Sequence, residues 1–97
     1  MADGIVCAND LLANCAYRFL LDNGYRVPED VTLSGYNNIQ EYISINHMLT
    51  TAEINIPLLG KRLVLQLKNR IEHPELRNEF ILISPEIIYR KSTDTDL

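Results

Sequence analysis

The sequence predicts an α/β fold, a parallel sheet with flanking helices, and three observations carry that reading. Gly4-Ile5-Val6-Cys7-Ala8 is a short, continuously apolar run, the pattern of a strand buried on both faces of a parallel sheet. A helix-length apolar segment comes next, and a second strand, residues 31–36, follows it; parallel pairing requires this strand-helix-strand order. A second amphipathic helix and two short closing strands then extend the alternation. The chain has 97 residues, enough for one core. Its 46% hydrophobic and 23% charged residues match an ordinary globular domain and exclude a low-complexity reading.

The first helix is expected to begin at Asn9-Asp10, where Asn is a preferred N-cap and Asp10 sets a carboxylate in the first turn, and to end at Gly24, a natural C′ residue. On a helical wheel Leu11, Leu12, Cys15, Ala16 and Phe19 form one apolar face. Ala13, Tyr17, Leu20 and Leu21 continue it past half the circumference, leaving only Asn14, Arg18 and Asp22 as a polar wedge. A helix lying on a sheet needs an apolar stripe of about 100°. The excess points either to a second contact surface or to burial within a larger parent domain, and periodicity does not choose between them.

Pro28 holds Val27 out of the helical region and introduces the second strand, which Asn37-Asn38 closes as Asn9-Asp10 closes the first. Both polar pairs therefore sit at the carboxyl ends of parallel strands, where open α/β sheets bind ligands. Asn9 is explained equally by capping, and Asn37-Asn38 by turn formation. Their convergence favours a ligand site, because amides donate and accept hydrogen bonds as a hydroxylated ligand demands.

Residues 39–48 read as an irregular loop containing one helical turn, and residues 49–53 as a short strand. A long helix is expected from Pro57 to about His73-Pro74, with Leu59, Gly60, Leu63, Val64, Leu67 and Ile71 facing a core and Gly60 permitting close backbone approach. Strands at residues 80–84 and 87–90 close the chain before a frayed tail, 94–97.

Catalysis is not expected. No Gly-rich phosphate loop, nucleophile elbow, His-Glu-x-x-His or Cys-x-x-Cys motif occurs, and His47 and His73 stand isolated on predicted surface. Cys7 and Cys15 read as reduced core thiols, and no cofactor or metal site is expected. The net charge of -4 argues against nucleic-acid contact by these residues. No apolar run approaches the roughly 20 residues of a membrane span, no signal peptide opens the chain, and a cytoplasmic location is expected. Met1-Ala2-Asp3-Gly4 running straight into a strand suggests a piece of a longer protein.

In combination, Ala8-Asn9-Asp10, residues 24–31 (Gly24-Tyr25-Arg26-Val27-Pro28-Glu29-Asp30-Val31), Gly35-Tyr36-Asn37-Asn38, Leu49-Thr50-Thr51 and Arg90-Lys91-Ser92-Thr93 resemble the C-terminal end of LacI/GalR-type transcriptional regulators over nearly the whole chain. The resemblance implies a periplasmic-binding-protein-like core of two subdomains closing on a small effector, a sugar or a purine. Residues 1–55 would belong to the C-terminal subdomain, 56–85 to the N-terminal subdomain, and 86–93 to a strand returning to the first. It further implies that a DNA-binding head lies outside this chain, so that operator contact would come only from that head.

Position by position, Asn9 matches a family effector contact, and Asn37 stands where the family commonly has an aspartate. An amide keeps the shape and loses the charge, which weakens the case for a typical sugar ligand. His47-Met48 replaces a frequent proline pair. The family dimerises through the first helix and the loop after the second strand, which places Ala13, Tyr17, Leu21, Tyr42 and Ile45 on the expected homodimer surface. The competing expectation is a sugar-binding protein of a transport system, which shares the fold.

Overall fold

The computed structural model describes residues 4–39 and 48–94. Contacts divide the chain into two units, residues 1–53 with 86–97, and residues 54–85.

The first unit is built on β1 (Gly4–Val6), α1 (Asp10–Asp22) and β2 (Thr32–Ser34). The two strands pair in parallel, with Gly4 opposite Thr32, Ile5 opposite Leu33 and Val6 opposite Ser34. Beyond the named strands the ladder continues, the Cys7 N–H donating to the Ser34 carbonyl at 2.9 Å. On the other side of β2 an isolated parallel bridge joins Ser34 to Thr50, and β3 (Thr51–Glu53) pairs antiparallel with β4 (Glu86–Ile88). β2 is shorter than the expected 31–36, because Gly35 and the residues after it turn into the loop that carries Asn37.

α1 lays Ala13 and Leu20 on Leu33, with Val27, Val31 and Leu49 completing a buried cluster against which Ile5, Cys7, Ala16, Tyr17 and Met48 pack. The helix ends at Asn23, and Gly24 follows with φ +82°, the left-handed C′ geometry that its lack of a Cβ permits. Residues 25–31 approach β2 through a cis Val27–Pro28 bond, and Asp30 grips the Arg26 backbone N–H at 2.8 Å. The Arg26 guanidinium also hydrogen-bonds the Asp30 carboxylate, at 3.2 Å, and holds that carboxyl below its ordinary value.

Four expectations are corrected here. β1 is not buried on both faces: Val6 is 87% exposed, because among the described residues only the opposite face, carrying Ile5, packs against the core cluster. Cys15 is exposed rather than a core thiol, since the side of α1 that meets β2 is the one carrying Ala13 and Leu20. Residues 80–84 form no strand, and Phe80 and Leu82 are 99% and 95% exposed, with no neighbouring strand to supply a ladder. Finally, the apolar stripe on α2 faces no core among the described residues.

That helix, α2 (Ile56–Glu72), starts one residue before Pro57. Asn55 caps it through Oδ1, which accepts from the Leu58 N–H at 3.0 Å. None of its residues is buried, and among the described residues nothing lies within 4 Å of the position a Gly60 Cβ would occupy, so the expected close approach is not made by them. Within the second unit Leu59, Leu63, Ile81 and Ile83 line a shallow cavity of about 160 Å³ with Arg62, Gln66 and Glu79 at its polar edge.

After β4 a 3₁₀ turn, Lys91–Thr93, is tied into the first unit by hydroxyls. Ser92, fully buried, donates to the Leu33 carbonyl at 2.5 Å and accepts from the Thr50 N–H at 2.8 Å. Its hydroxyl thereby stands between two backbone groups of adjacent chain segments and satisfies both.

Candidate functional site

The site is assembled from the residues that follow β1 and β2. Asn9 has extended backbone, φ -157° and ψ 172°, and its Oδ1 accepts from the Leu12 N–H at 2.9 Å. The capping role is therefore met, leaving the Nδ2 donors and a remaining Oδ1 lone pair for any other partner. Asn37 lies beyond the end of the neighbouring parallel strand and is exposed. The structure thus brings Asn9 and Asn37 to the carboxyl ends of two adjacent, hydrogen-bonded strands.

Asn37 and Asn38 adopt positive φ angles, +97° and +57°, in succession. A left-handed backbone costs a residue with a side chain about 1–2 kcal/mol, least for Asn, so two in a row require outside support. Three consecutive N–H groups supply it. Asn37 N–H donates to the Ala52 carbonyl at 2.8 Å, Asn38 N–H to Thr51 Oγ1 at 3.3 Å, and Ile39 N–H to Asp10 Oδ2 at 2.8 Å. Asn38 Oδ1 is buried without a hydrogen-bond partner among the described residues, so within them the turn holds an acceptor with unused capacity.

Asp10 is the residue at these strand ends whose contacts sequence reasoning missed. The sequence assigns it only a favourable place in the first turn of α1, yet it is fully buried and its carboxylate joins three segments. Oδ1 accepts from the Thr51 hydroxyl at 2.8 Å, Oδ2 takes the Ile39 N–H, and the Asp10 N–H donates to the Tyr36 carbonyl at 3.1 Å. Gly35 makes this approach possible. A Cβ there would collide with Asp10 Oδ1 and lie 3.0 Å from Leu49 Cδ2 and 3.1 Å from Asp10 Cα. A glycine at the end of a strand, facing an acid at the start of the next-door helix, was the available signal.

Of the residues expected on a partner surface, Ala13 is fully buried in the core of its own unit, and this corrects the expectation: with no side chain beyond Cβ, it lets α1 lie close to Leu33. Tyr17 is half-buried against the same cluster, and Leu21 is exposed. Tyr42 and Ile45 lie outside the described residues, as does His47. His73 sits 3.6 Å from Glu75. Burial raises the Cys7 thiol above its ordinary 9.0. Among the described residues no group of three or more His, Cys, Asp or Glu could hold a metal, and no helix is long and apolar enough to cross a membrane.

Polar turns at the carboxyl ends of adjacent parallel strands, with a capped helix between them, are the layout of α/β ligand-binding domains. The periplasmic binding protein-like domain matches residues 1–93, and the chain belongs to that family. Its relatives are LacI-type regulators, as the sequence resemblance implies. The chain is 36% identical over 88 residues, 91% of its length, to the HTH-type transcriptional repressor PurR of Mannheimia succiniciproducens, of which it covers 26%. A LacI family regulator from Enterococcus faecium, solved with bound ribose, superposes with a TM-score of 0.73 at 37% identity, over 95% of this chain and 34% of that one. The lac repressor dimer bound to operator and an anti-inducer gives 0.80 at 26% identity, over 94% of this chain and 27% of the repressor. The chain thus spans about a quarter to a third of the proteins it resembles.

Proposed function

We propose that this chain is the effector-binding and dimerisation region of a LacI/GalR-type transcriptional repressor, with Asn9 and Asn37 contacting a small polar metabolite, a sugar or a purine-like compound. The observation that carries the reading is the pair of Asn residues at the carboxyl ends of adjacent parallel strands, one at a helix cap and one in a left-handed turn whose three successive N–H groups donate to a carbonyl, a hydroxyl and a carboxylate. A strained polar turn kept in place by its surroundings is a feature of binding sites. The PurR relative and the regulators solved with ribose and with operator support the regulatory reading. They do not favour the sugar-transport alternative.

In this reading the protein is cytoplasmic, is not an enzyme, and requires no cofactor. Effector binding biases two states of the whole regulator, and only the difference in affinity between those states can shift DNA binding. Operator contact comes from a separate head, consistent with a net charge of -4 in the present residues. Self-association uses Tyr17 and Leu21 of α1 together with Tyr42 and Ile45.

Thermal unfolding of the full-length protein tests the effector assignment. Ribose, cellobiose, lactose, hypoxanthine and guanine are added singly at saturating concentration, and a bound effector raises the Tm by mass action. A Tm unmoved by every member of the panel contradicts a sugar or purine effector.

A further inference from the structure

We infer that Asp10 and Thr51 form a positioning pair that holds the Asn37–Asn38 turn in its left-handed conformation. The consequence for ligand binding rests on the site proposed above, while the geometry stands without it. Asp10 is the first residue of α1 and Thr51 the first of β3, 41 positions apart in sequence. They meet beneath a turn that belongs to neither element.

The hydrogen-bond directions are fixed by chemistry. A backbone N–H can only donate and a carboxylate can only accept, so Thr51 must take the Asn38 N–H with its oxygen and give its own proton to Asp10 Oδ1. Only a hydroxyl fits between that donor and that acceptor. Asp10 Oδ2, the other oxygen of the same carboxylate, takes the next N–H along the chain, that of Ile39. One carboxylate thereby reaches two successive amides, one directly and one through Thr51. Asp10 and Thr51 are both buried, so water does not readily replace either contact. Gly35, with no Cβ, leaves the room in which the carboxylate sits.

The pair accounts for why two consecutive non-glycine residues can persist at positive φ beside the candidate ligand contact. It also predicts which substitutions matter. Thr51→Val keeps the shape and removes the relay. Thr51→Ser keeps the hydroxyl. Asp10→Asn can keep both contacts only if its oxygen takes the Ile39 N–H and its NH₂ donates to a rotated Thr51 hydroxyl, which replaces charge-assisted hydrogen bonds with weaker neutral ones.

The test uses the full-length protein and two independent readouts. The first, amide hydrogen exchange at Asn38 and Ile39, requires no ligand. Thr51→Val and Asp10→Asn are expected to accelerate it about tenfold while amides in the middle of α1 keep their protection, and Thr51→Ser is expected to match the parent. The second is calorimetric affinity for whichever of ribose, cellobiose, lactose, hypoxanthine or guanine binds the parent, expected to fall about tenfold in Thr51→Val and to be retained in Thr51→Ser. Unchanged exchange at Asn38 and Ile39 in Thr51→Val overturns the inference, and so does an exchange increase spread evenly over α1. If the parent binds none of the five compounds, the effector assignment fails, and the exchange readout still decides whether Asp10 and Thr51 hold the turn.

Discussion

At Gly35 the end of a strand and the start of a helix come together only because one residue has no side chain. A methyl group there meets Asp10 Oδ1 head-on and crowds Leu49, so either the carboxylate or β2 has to move. Gly35→Ala is expected to destabilise the full-length protein by about 1–3 kcal/mol, the usual cost of overpacking a filled site, as read from urea unfolding; stability equal to the parent contradicts the packing described here. The cap at Asn9 and the turn-forming character of Asn37-Asn38 could be read from residue type alone, because capping and left-handed turns depend on local chemistry. Asp10 could not be assigned in that way. Its partners, Ile39 and Thr51, are 29 and 41 positions away, and apart from the glycine at position 35 the sequence carries no trace of hydrogen bonds across such distances.

At the scale of elements, α1 shows what helical periodicity does and does not decide. The over-wide apolar arc was legible, and so was the termination at Gly24. Which part of the arc meets the sheet was not, and the structure turns Ala13 and Leu20 inward while leaving Leu11, Leu12, Cys15, Phe19 and Leu21 exposed. The two thiols report this orientation. Thiolate is the reactive form, and burial raises the Cys7 thiol above its ordinary value, so at neutral pH Cys7 is expected to react with maleimide more slowly than exposed Cys15, its rate climbing with pH as the thiol ionises. Labelling of Cys7 ahead of Cys15 at neutral pH contradicts the orientation of α1. Leu21 carries the second element-scale test. Leu21→Asp leaves the core untouched and places a charge on the proposed partner surface, so sedimentation velocity of the full-length protein should show a dimer converted to monomer. A dimer that survives the substitution removes Leu21 from the interface. Residues 80–84 failed to form the expected strand for a reason no local pattern reveals, since a strand exists only where another lies beside it.

For the molecule as a whole, the parallel α/β architecture was legible because strand and helix periodicities alternate cleanly from Gly4 to Tyr36. The apolar faces of α2 and of residues 80–82 stay uncovered among the described residues, and this is the expected appearance of a chain spanning about a quarter of the PurR repressor it resembles, 26% of its length. The effector's chemistry is less legible than the fold. Asn37, where the resemblance implies an aspartate, would preserve hydrogen-bonding shape without a charge, and an amide accepts hydroxyl and ring N–H donors alike.

The central claim is that Asn37 contacts the effector, and calorimetric titration of the full-length protein beside its Asn37→Gly variant tests it most directly. Glycine removes the amide while tolerating φ +97°, so the turn keeps its shape and the measurement reports the side chain alone. Titrated with the ribose, cellobiose, lactose, hypoxanthine or guanine that binds the parent, the variant is expected to bind more weakly by about 1–3 kcal/mol, the cost of leaving a buried ligand group unpaired. Affinity equal to that of the parent would place the effector away from the carboxyl end of β2 and contradict the account.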